Sequence, residues 1–324
     1  MKFLFPGWYA IVMGLGGLAL AWHRAVPLMG EMAGAVALVV GGLAALVFAL
    51  LAAATLWRGW TQAEAWAEDR RHPVRHTFIA TLPIAVLLLA TVAVALFGPS
   101  LPARALWWAG SLGQFGVTLW VLARWWRSAQ QGGLVWASIT PALFIPIVGN
   151  VLVPLAGVPL GHEAWAAAQF GVGLLFWPLV FVLLVARLLV QGPWPERLRP
   201  TVFILIAPPA VVGLGLLQFG APLLVAWVLW GMALFTFLWV GTQARLIAGM
   251  PFALTHWAMS FPLAAFAALT LRLASPGTPL AVLGPVLLAL ASLLILVLVL
   301  GTLRGLRDGT LLAPEPVAAI QPAA

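Results

Sequence analysis

The side chains that could do chemistry in this chain are few: eight carboxylates, five histidines and no cysteine among 324 residues. Without cysteine there are no disulfides, thiolate metal sites or thiol nucleophiles. The acids are Glu31, Glu64, Glu68, Asp69, Glu163, Glu196, Asp308 and Glu315, and each falls in a connection or a tail between apolar stretches. Proton relays and cation-coupled carriers place an ionisable group inside the membrane, and none is placed here for that work. Paired intramembrane aspartates for hydrolysis are missing for the same reason. His23, His72, His76, His162 and His256 lie at or near the ends of apolar stretches. Haem held between helices would need histidines facing each other at depth. The pattern calls for no catalytic residue, no metal and no cofactor.

What remains is cationic or neutral. Arg75, Arg199 and His256 stand at or near the beginning of apolar stretches. A vestibule built from them would raise the local concentration of anions; anchoring of the chain at the membrane surface is the competing role. Thr81, Thr140, Asn150 and Ser260 lie within apolar stretches. They are candidates for the wall of a path, or for hydrogen bonds between packed helices.

The elements that position these residues follow from composition. The chain is 64% hydrophobic and 7% charged, against about 25% charged in soluble domains. A helix crosses a bilayer with about 20 apolar residues. Ten such spans are read: about Pro6–Trp22, Ala33–Trp57, Thr77–Phe97, Leu106–Arg124, Thr140–Gly157, Trp165–Leu189, Thr201–Phe219, Leu223–Gln243, Phe252–Leu273 and Leu280–Leu303. The fold class is all-α and polytopic. Residues 1–312 make one membrane domain embedded in the lipid bilayer, and the Pro- and Ala-rich tail 313–324 is expected to be disordered. With the N-terminus inside, only Arg24, Arg104 and Arg272 of the 16 Lys and Arg fall outside. That bias places both termini in the cytoplasm and leaves no basic patch that calls for a nucleic acid. The first span could alternatively be a cleaved leader, with Lys2, an apolar run and small residues near Ala19 and Ala21. Tryptophans such as Trp57, Trp60, Trp107, Trp108, Trp125 and Trp126 read as interfacial anchors.

Alternate spans carry a proline near the middle: Pro83, Pro146, the pair Pro208 and Pro209, and Pro262, at intervals of 63, 62 and 54 residues. Proline removes a helical hydrogen bond and clashes with the preceding turn. In a membrane such a break survives where protein or a water-filled cavity satisfies the freed groups. The first span has no central proline but carries Gly14, Gly16 and Gly17, which permit bending or close approach. The expected arrangement is an inner ring of proline-kinked odd spans around a central pore, with the Leu-, Val- and Ala-rich even spans outside.

The same stretches resemble the tellurite-resistance/dicarboxylate transporter family, which includes bacterial TehA and the slow anion channels of plant guard cells. The matching residues run through Gly7-Trp-Tyr-Ala-Ile-Val-Met-Gly14 and on to Trp22, His72-Pro-Val-Arg75, Phe78-Ile-Ala-Thr-Leu-Pro83 and Gly110-Ser-Leu-Gly-Gln114. They continue with Thr140-Pro141, Phe144-Ile-Pro-Ile-Val-Gly-Asn150, Arg199-Pro-Thr201, Ala207-Pro-Pro209 and Trp257-Ala-Met-Ser-Phe-Pro262. The first of these begins inside the first span, which argues against leader cleavage. The resemblance implies five helical hairpins in a pseudo-fivefold array, a homotrimer with one pore per subunit, residence in the bacterial inner membrane, and passage of small anions. It implies that a phenylalanine on the ninth span plugs the pore; the matching position is Phe261. The competing mechanism is a secondary active carrier of C4-dicarboxylate (malate), sulfite or tellurite with alternating access. Nothing in the span residues separates these anions from chloride or nitrate.

Overall fold

The computed structural model describes residues 3–313; the tail expected to be disordered lies, apart from Ala313, outside them. Among the described residues regular structure is helical and no strand occurs. The principal α-helices are α1 (Ala10–Arg24), α2 (Glu31–Thr61), α3 (Thr81–Phe97), α4 (Leu101–Ala123), α5 (Phe144–Val148), α6 (Glu163–Gln191), α7 (Ala207–Gln218), α8 (Leu223–Gly241), α9 (Ser260–Leu273) and α10 (Leu280–Arg307). Seven helical segments are long and apolar enough to cross a membrane; Pro141–Gly157 is apolar but shorter. The segments at Pro6–Arg24 and Leu101–Ala123, read as spans from the sequence, are helical but not among those seven.

The odd-numbered helices share a construction that the sequence reading did not contain. Each is entered through a 3₁₀ segment: Pro6–Tyr9 before α1, Arg75–Ala80 before α3, Pro141–Leu143 before α5, Glu196–Ile206 before α7 and Leu254–Met259 before α9. Pro83, Pro146, Pro209 and Pro262 are each the third residue of the α-helix that follows, and Pro208 is the second. The first turn tolerates proline because its N–H groups have no intrahelical acceptor. A proline read as interrupting one continuous helix therefore marks a seam between two helix types.

Two of the seams are held by side-chain hydroxyls. Thr81 Oγ1 donates to the Phe78 carbonyl at 2.7 Å and the Pro6 carbonyl at 2.5 Å. Ser260 Oγ donates to the Trp257 carbonyl at 2.6 Å. Both lie two residues before a proline. The fifth segment is more irregular, passing from α5 into a second 3₁₀ run, Gly149–Leu152. There the Pro146 carbonyl accepts from Gln114 Nε2 (2.7 Å), Thr118 Oγ1 (2.5 Å) and Asn150 Nδ2 (3.0 Å). Asn150 Oδ1 accepts in turn from Gln169 Nε2 at 3.0 Å. Helix α4 thus supplies donors to an irregular backbone that lipid could not serve, and α6 steadies the Asn150 side chain that does the same.

Burial separates the two sets of helices. In the odd segments at Arg75–Phe97, Glu196–Gln218 and Leu254–Leu273, 56, 83 and 89% of the most apolar stretch is buried. In α2, α6, α8 and α10 the share is only 22, 22, 28 and 33%. The exposed residues of the latter are apolar, among them Val39, Leu175, Phe235 and Val282, as a lipid-facing surface requires. α1 packs on α3 and α9, α3 on the fifth segment, the fifth segment on α7, and α7 on α9. The odd segments thereby close a ring, with even helices packed outside them.

Some tryptophans depart from the interfacial expectation. Trp57, Trp60 and Trp126 are exposed, but Trp107 and Trp257 are buried. Their indole N–H groups donate to the Val153 carbonyl (3.0 Å) and Thr302 Oγ1 (2.8 Å), pinning an outer helix to an inner segment in each case.

The polar cluster around Pro146 yields a prediction. Asn150→Leu removes the side-chain donor to the Ile147 carbonyl and the acceptor for Gln169, both buried, while Gln114 and Thr118 still serve the Pro146 carbonyl. Each stranded group costs about 1–3 kcal/mol. Thermal unfolding in detergent should show a clear loss of stability, and Thr118→Val should lose less, because Gln114 and Asn150 still serve the carbonyl.

Candidate functional site: a central cavity and its arginine-lined mouth

The ring of odd segments encloses a cavity that leaves about 50 Å³ to water-sized spheres, room for a few waters at most. Its wall comes from every odd segment: Gly7, Ala10 and Met13; Phe78, Thr81 and Ile84; Ile145, Val148 and Leu152; Ile204 and Ala207; Leu254, Trp257, Phe261 and Pro262. No residue of the even helices takes part, and no charged side chain does. Besides the Trp257 indole, whose N–H is held by Thr302, the hydroxyls of Thr81 and Thr255 are the polar side-chain groups of the wall. The first donates to Pro6 and Phe78, and the second to the Arg197 carbonyl at 2.5 Å. Both protons are therefore committed to backbone. An anion here would lose its hydration and meet neither a charge nor a free hydroxyl proton.

Phe261 lies in this wall, 7% exposed. The ring rests on Gly17 of α1, where an added Cβ would come 2.9 Å from Cδ2. Gly14 serves a neighbouring contact: a Cβ there would overlap the Ser260 hydroxyl. α1 runs without interruption through both glycines, so what they provide is close approach to α9.

A larger cleft, about 790 Å³, adjoins the cavity and shares Phe5 and Leu254 with it. Arg58, Arg75, Arg197 and Arg304 line it together with Glu68, Asp69 and Asp308. The charges are organised around Asp69, which the sequence placed in a loop. It lies instead in a short helix, Ala63–Arg71, and is buried with its carboxylate 2.8 Å from Arg58. Arg75 reaches Asp69 at 3.4 Å and Glu68 at 3.8 Å. Burial pushes the Asp69 carboxyl up, while Arg58 and Arg75 pull it down. Arg75 is thus neutralised locally, and Arg197 and Arg304, which have no carboxylate within 4 Å among the described residues, are the uncompensated cations of the cleft.

The structure brings together part of the expected set. Phe261, Pro262 and Thr81 meet in the cavity, and Arg75 lies at the adjoining cleft. Pro83, Pro146, Pro208 and Pro209 are buried but do not line the cavity. Pro83 packs toward α4, where a Cβ at Gly113 would sit 3.3 Å away. Asn150 and Ser260 are fully buried in packing contacts, and the Thr140 hydroxyl is buried with no partner among the described residues. His256 stacks on Phe252 at 5.5 Å with Nδ1 against the backbone of Ala253. Arg199 lines a different groove, between α6, α8 and the Glu196–Ile206 segment. Sequence reasoning missed the contribution of Met13 and Ala10, and the roles of Arg58, Asp69, Arg197 and Arg304. Spacing carried no signal for these, because the short helix Ala63–Arg71 must first fold back over the mouth.

The family described as "SLAC1: Voltage-dependent anion channel" matches residues 4–303, and the chain belongs to it. An S-type anion channel, SLAH2, of Arabidopsis thaliana is 27% identical over 64% of this chain, but that match spans only 40% of the plant protein. The tellurite resistance protein TehA homolog of Haemophilus influenzae is 27% identical over 81% of this chain and 78% of its own length. An uncharacterized transporter of Methanocaldococcus jannaschii is 24% identical over 83% of both. The chain is a multi-pass membrane protein of an anion channel and transporter family.

A titratable side chain caps the turn that carries Arg75. His72 Nδ1 accepts from the N–H groups of Val74 and Arg75, each at 3.1 Å, and so starts the 3₁₀ segment that carries Arg75. Burial, and then the charge of Arg75, hold His72 down at about 4 from 6.5. The folded-state value lies below the unfolded one, so the unfolded chain binds the extra proton first. Stability is therefore full above about pH 6.5 and declines as pH falls toward 4. Melting curves of His72→Asn, which keeps an acceptor but does not titrate, should show a shallower decline over that window.

Proposed function

We propose that the chain is a membrane channel for small anions whose path follows the central cavity, and that Phe261 closes this path in the conformation described. The observation that carries the reading is the origin of the wall. One apolar cavity draws on every odd segment and no even helix, and Phe261 lies in it. The sign of the cargo is supported by the charges. The wall holds no carboxylate to attract a cation, and the mouth carries four arginines against three acids. Such a mouth concentrates anions. Membership of a family described as anion channels and the similarity to a protein named an S-type anion channel support the same reading.

The closure mechanism follows from size and dielectric. A phenyl ring in a narrow apolar passage fills volume and keeps water out, and a passing ion would have to shed its hydration. The architecture proposed with it is ten membrane-spanning segments arranged as five hairpins in a pseudo-fivefold array, with the proline seams turned inward. Both termini are cytoplasmic. The assembly is a homotrimer in a bacterial inner membrane, with one path per copy.

The test is anion flux in liposomes at an imposed potential, normalised to folded protein. Phe261→Ala should raise flux several-fold or more, and Phe261→Leu should raise it less. An ordinary core phenylalanine would behave oppositely, since truncation costs about 3–5 kcal/mol and reduces folded protein without opening anything. Unchanged or lower flux per folded molecule in Phe261→Ala would falsify the closure role. Flux coupled stoichiometrically to a proton or second solute would replace the channel by an alternating-access carrier of a dicarboxylate, sulfite or tellurite.

A further inference from the structure

A second groove lies apart from the central cavity, at the arginine-rich end of the molecule. It opens between the ends of α6 and α8 and the 3₁₀ segment Glu196–Ile206, and it leaves about 220 Å³ to water-sized spheres. Leu184, Leu205 and Val240 form its buried apolar wall. Its polar groups, Arg199, Thr242 and Gln243, are half-buried or exposed. Arg199 is held by its Nε, which donates to the Trp194 carbonyl at 3.2 Å. The two Nη groups have no carboxylate within 4 Å among the described residues. Thr242 donates to the Trp239 carbonyl at 2.7 Å and accepts from Gln243 at 3.3 Å. An oriented guanidinium therefore sits beside an apolar slot, with neutral polar groups in the same wall.

We propose that this groove binds an anionic phospholipid, with the phosphate on Arg199 and an acyl chain along Leu184, Leu205 and Val240. Two observations commit the site to lipid. The helices that frame it face the bilayer, with Leu189 and Leu238 exposed nearby, so acyl chains are its permanent neighbours. The cation that the groove presents is uncompensated within the protein, and a phosphate complements it geometrically as well as in charge. A free inorganic anion would use Arg199 and leave the apolar slot unfilled. The proposal requires only that the chain be embedded in a membrane and does not depend on what passes through the central cavity.

Native mass spectrometry of the full chain tests it, using micelles with equal amounts of phosphatidylglycerol and phosphatidylcholine. The unaltered protein should retain phosphatidylglycerol preferentially. Arg199→Gln should lower that preference about fivefold, the factor expected for one arginine at a membrane surface, and Arg199→Lys should keep most of it. Val202→Trp, at a half-buried position of the groove, should lower retention of both lipids, with circular dichroism and gel-filtration elution confirming the fold. The proposal is overturned by an unchanged lipid ratio in Arg199→Gln or unchanged retention in Val202→Trp. Displacement of phosphatidylglycerol by millimolar inorganic phosphate would assign the arginine to a free anion. Loss of an oligomer in Val202→Trp, with lipid retained, would assign the groove to a second copy of the chain.

Discussion

Backbone hydrogen bonding in an apolar surround is the constraint on which this structure turns. A carbonyl or N–H left unpaired in hydrocarbon costs several kcal/mol, so irregular backbone must be enclosed by protein. Although the even helices α6 and α10 run on through Pro178 and Pro285, the odd segments are irregular, each passing from a 3₁₀ run into an α-helix. They are therefore driven inward, and the regular Leu- and Val-rich even helices are left to meet lipid. The seam before Pro83 is served by Thr81, the one before Pro262 by Ser260, and the Pro146 carbonyl by Gln114, Thr118 and Asn150. Enclosing irregular segments in a ring leaves a gap along their common axis. The central cavity is that gap.

The same constraint explains why the cavity is so poor in polar groups. The hydroxyls of Thr81 and Thr255 spend their protons on backbone carbonyls. The cavity wall carries no charge, and at the adjoining mouth Asp69 holds Arg58 and Arg75. A buried pair of this kind contributes little net stability, but removal of one partner is costly. The short helix that carries Asp69 is thereby fixed over the opening. Conformation at the mouth and charge at the mouth are consequently one arrangement: His72 caps the 3₁₀ turn bearing Arg75, and Arg75 completes the environment of Asp69.

How much of this was legible in the sequence depended on whether a residue's role was local. Proline spacing marked four of the five inward segments, although Pro178 and Pro285 lie inside outward helices, and residue type marked the outward helices by a solvation rule that acts on one segment. The resemblance at Trp257–Pro262 brought Phe261 forward, and the structure places it in the cavity wall. The seams between 3₁₀ and α helix were not legible, and the one at Thr81 depends also on the Pro6 carbonyl, which comes from another segment. Arg197 and Arg199 show the limit most clearly. They are two residues apart and look equivalent as inner-end cations. In a 3₁₀ helix with three residues per turn they point to different sides, and one lines the mouth while the other lines the lateral groove. Trp107 and Trp257 were hidden in the same way, since an indole near a span end can anchor at the interface or reach inward to a particular acceptor.

The central claim is that the wall formed by the odd segments is the route that anions take once Phe261 is removed. The absence of native cysteine allows a direct measurement. Single cysteines placed at Val148, Ala207 or Ala258 in the Phe261→Ala background would be exposed to a negatively charged methanethiosulfonate while anion flux is recorded. These positions come from three different segments and all line the cavity. Cysteines at Val39 and Val297, exposed on the outer helices, serve as the comparison. The account predicts that the reagent suppresses flux at the three cavity positions and leaves it intact at the two outer ones. Suppression at the outer positions, or full flux after labelling of the cavity, would contradict it.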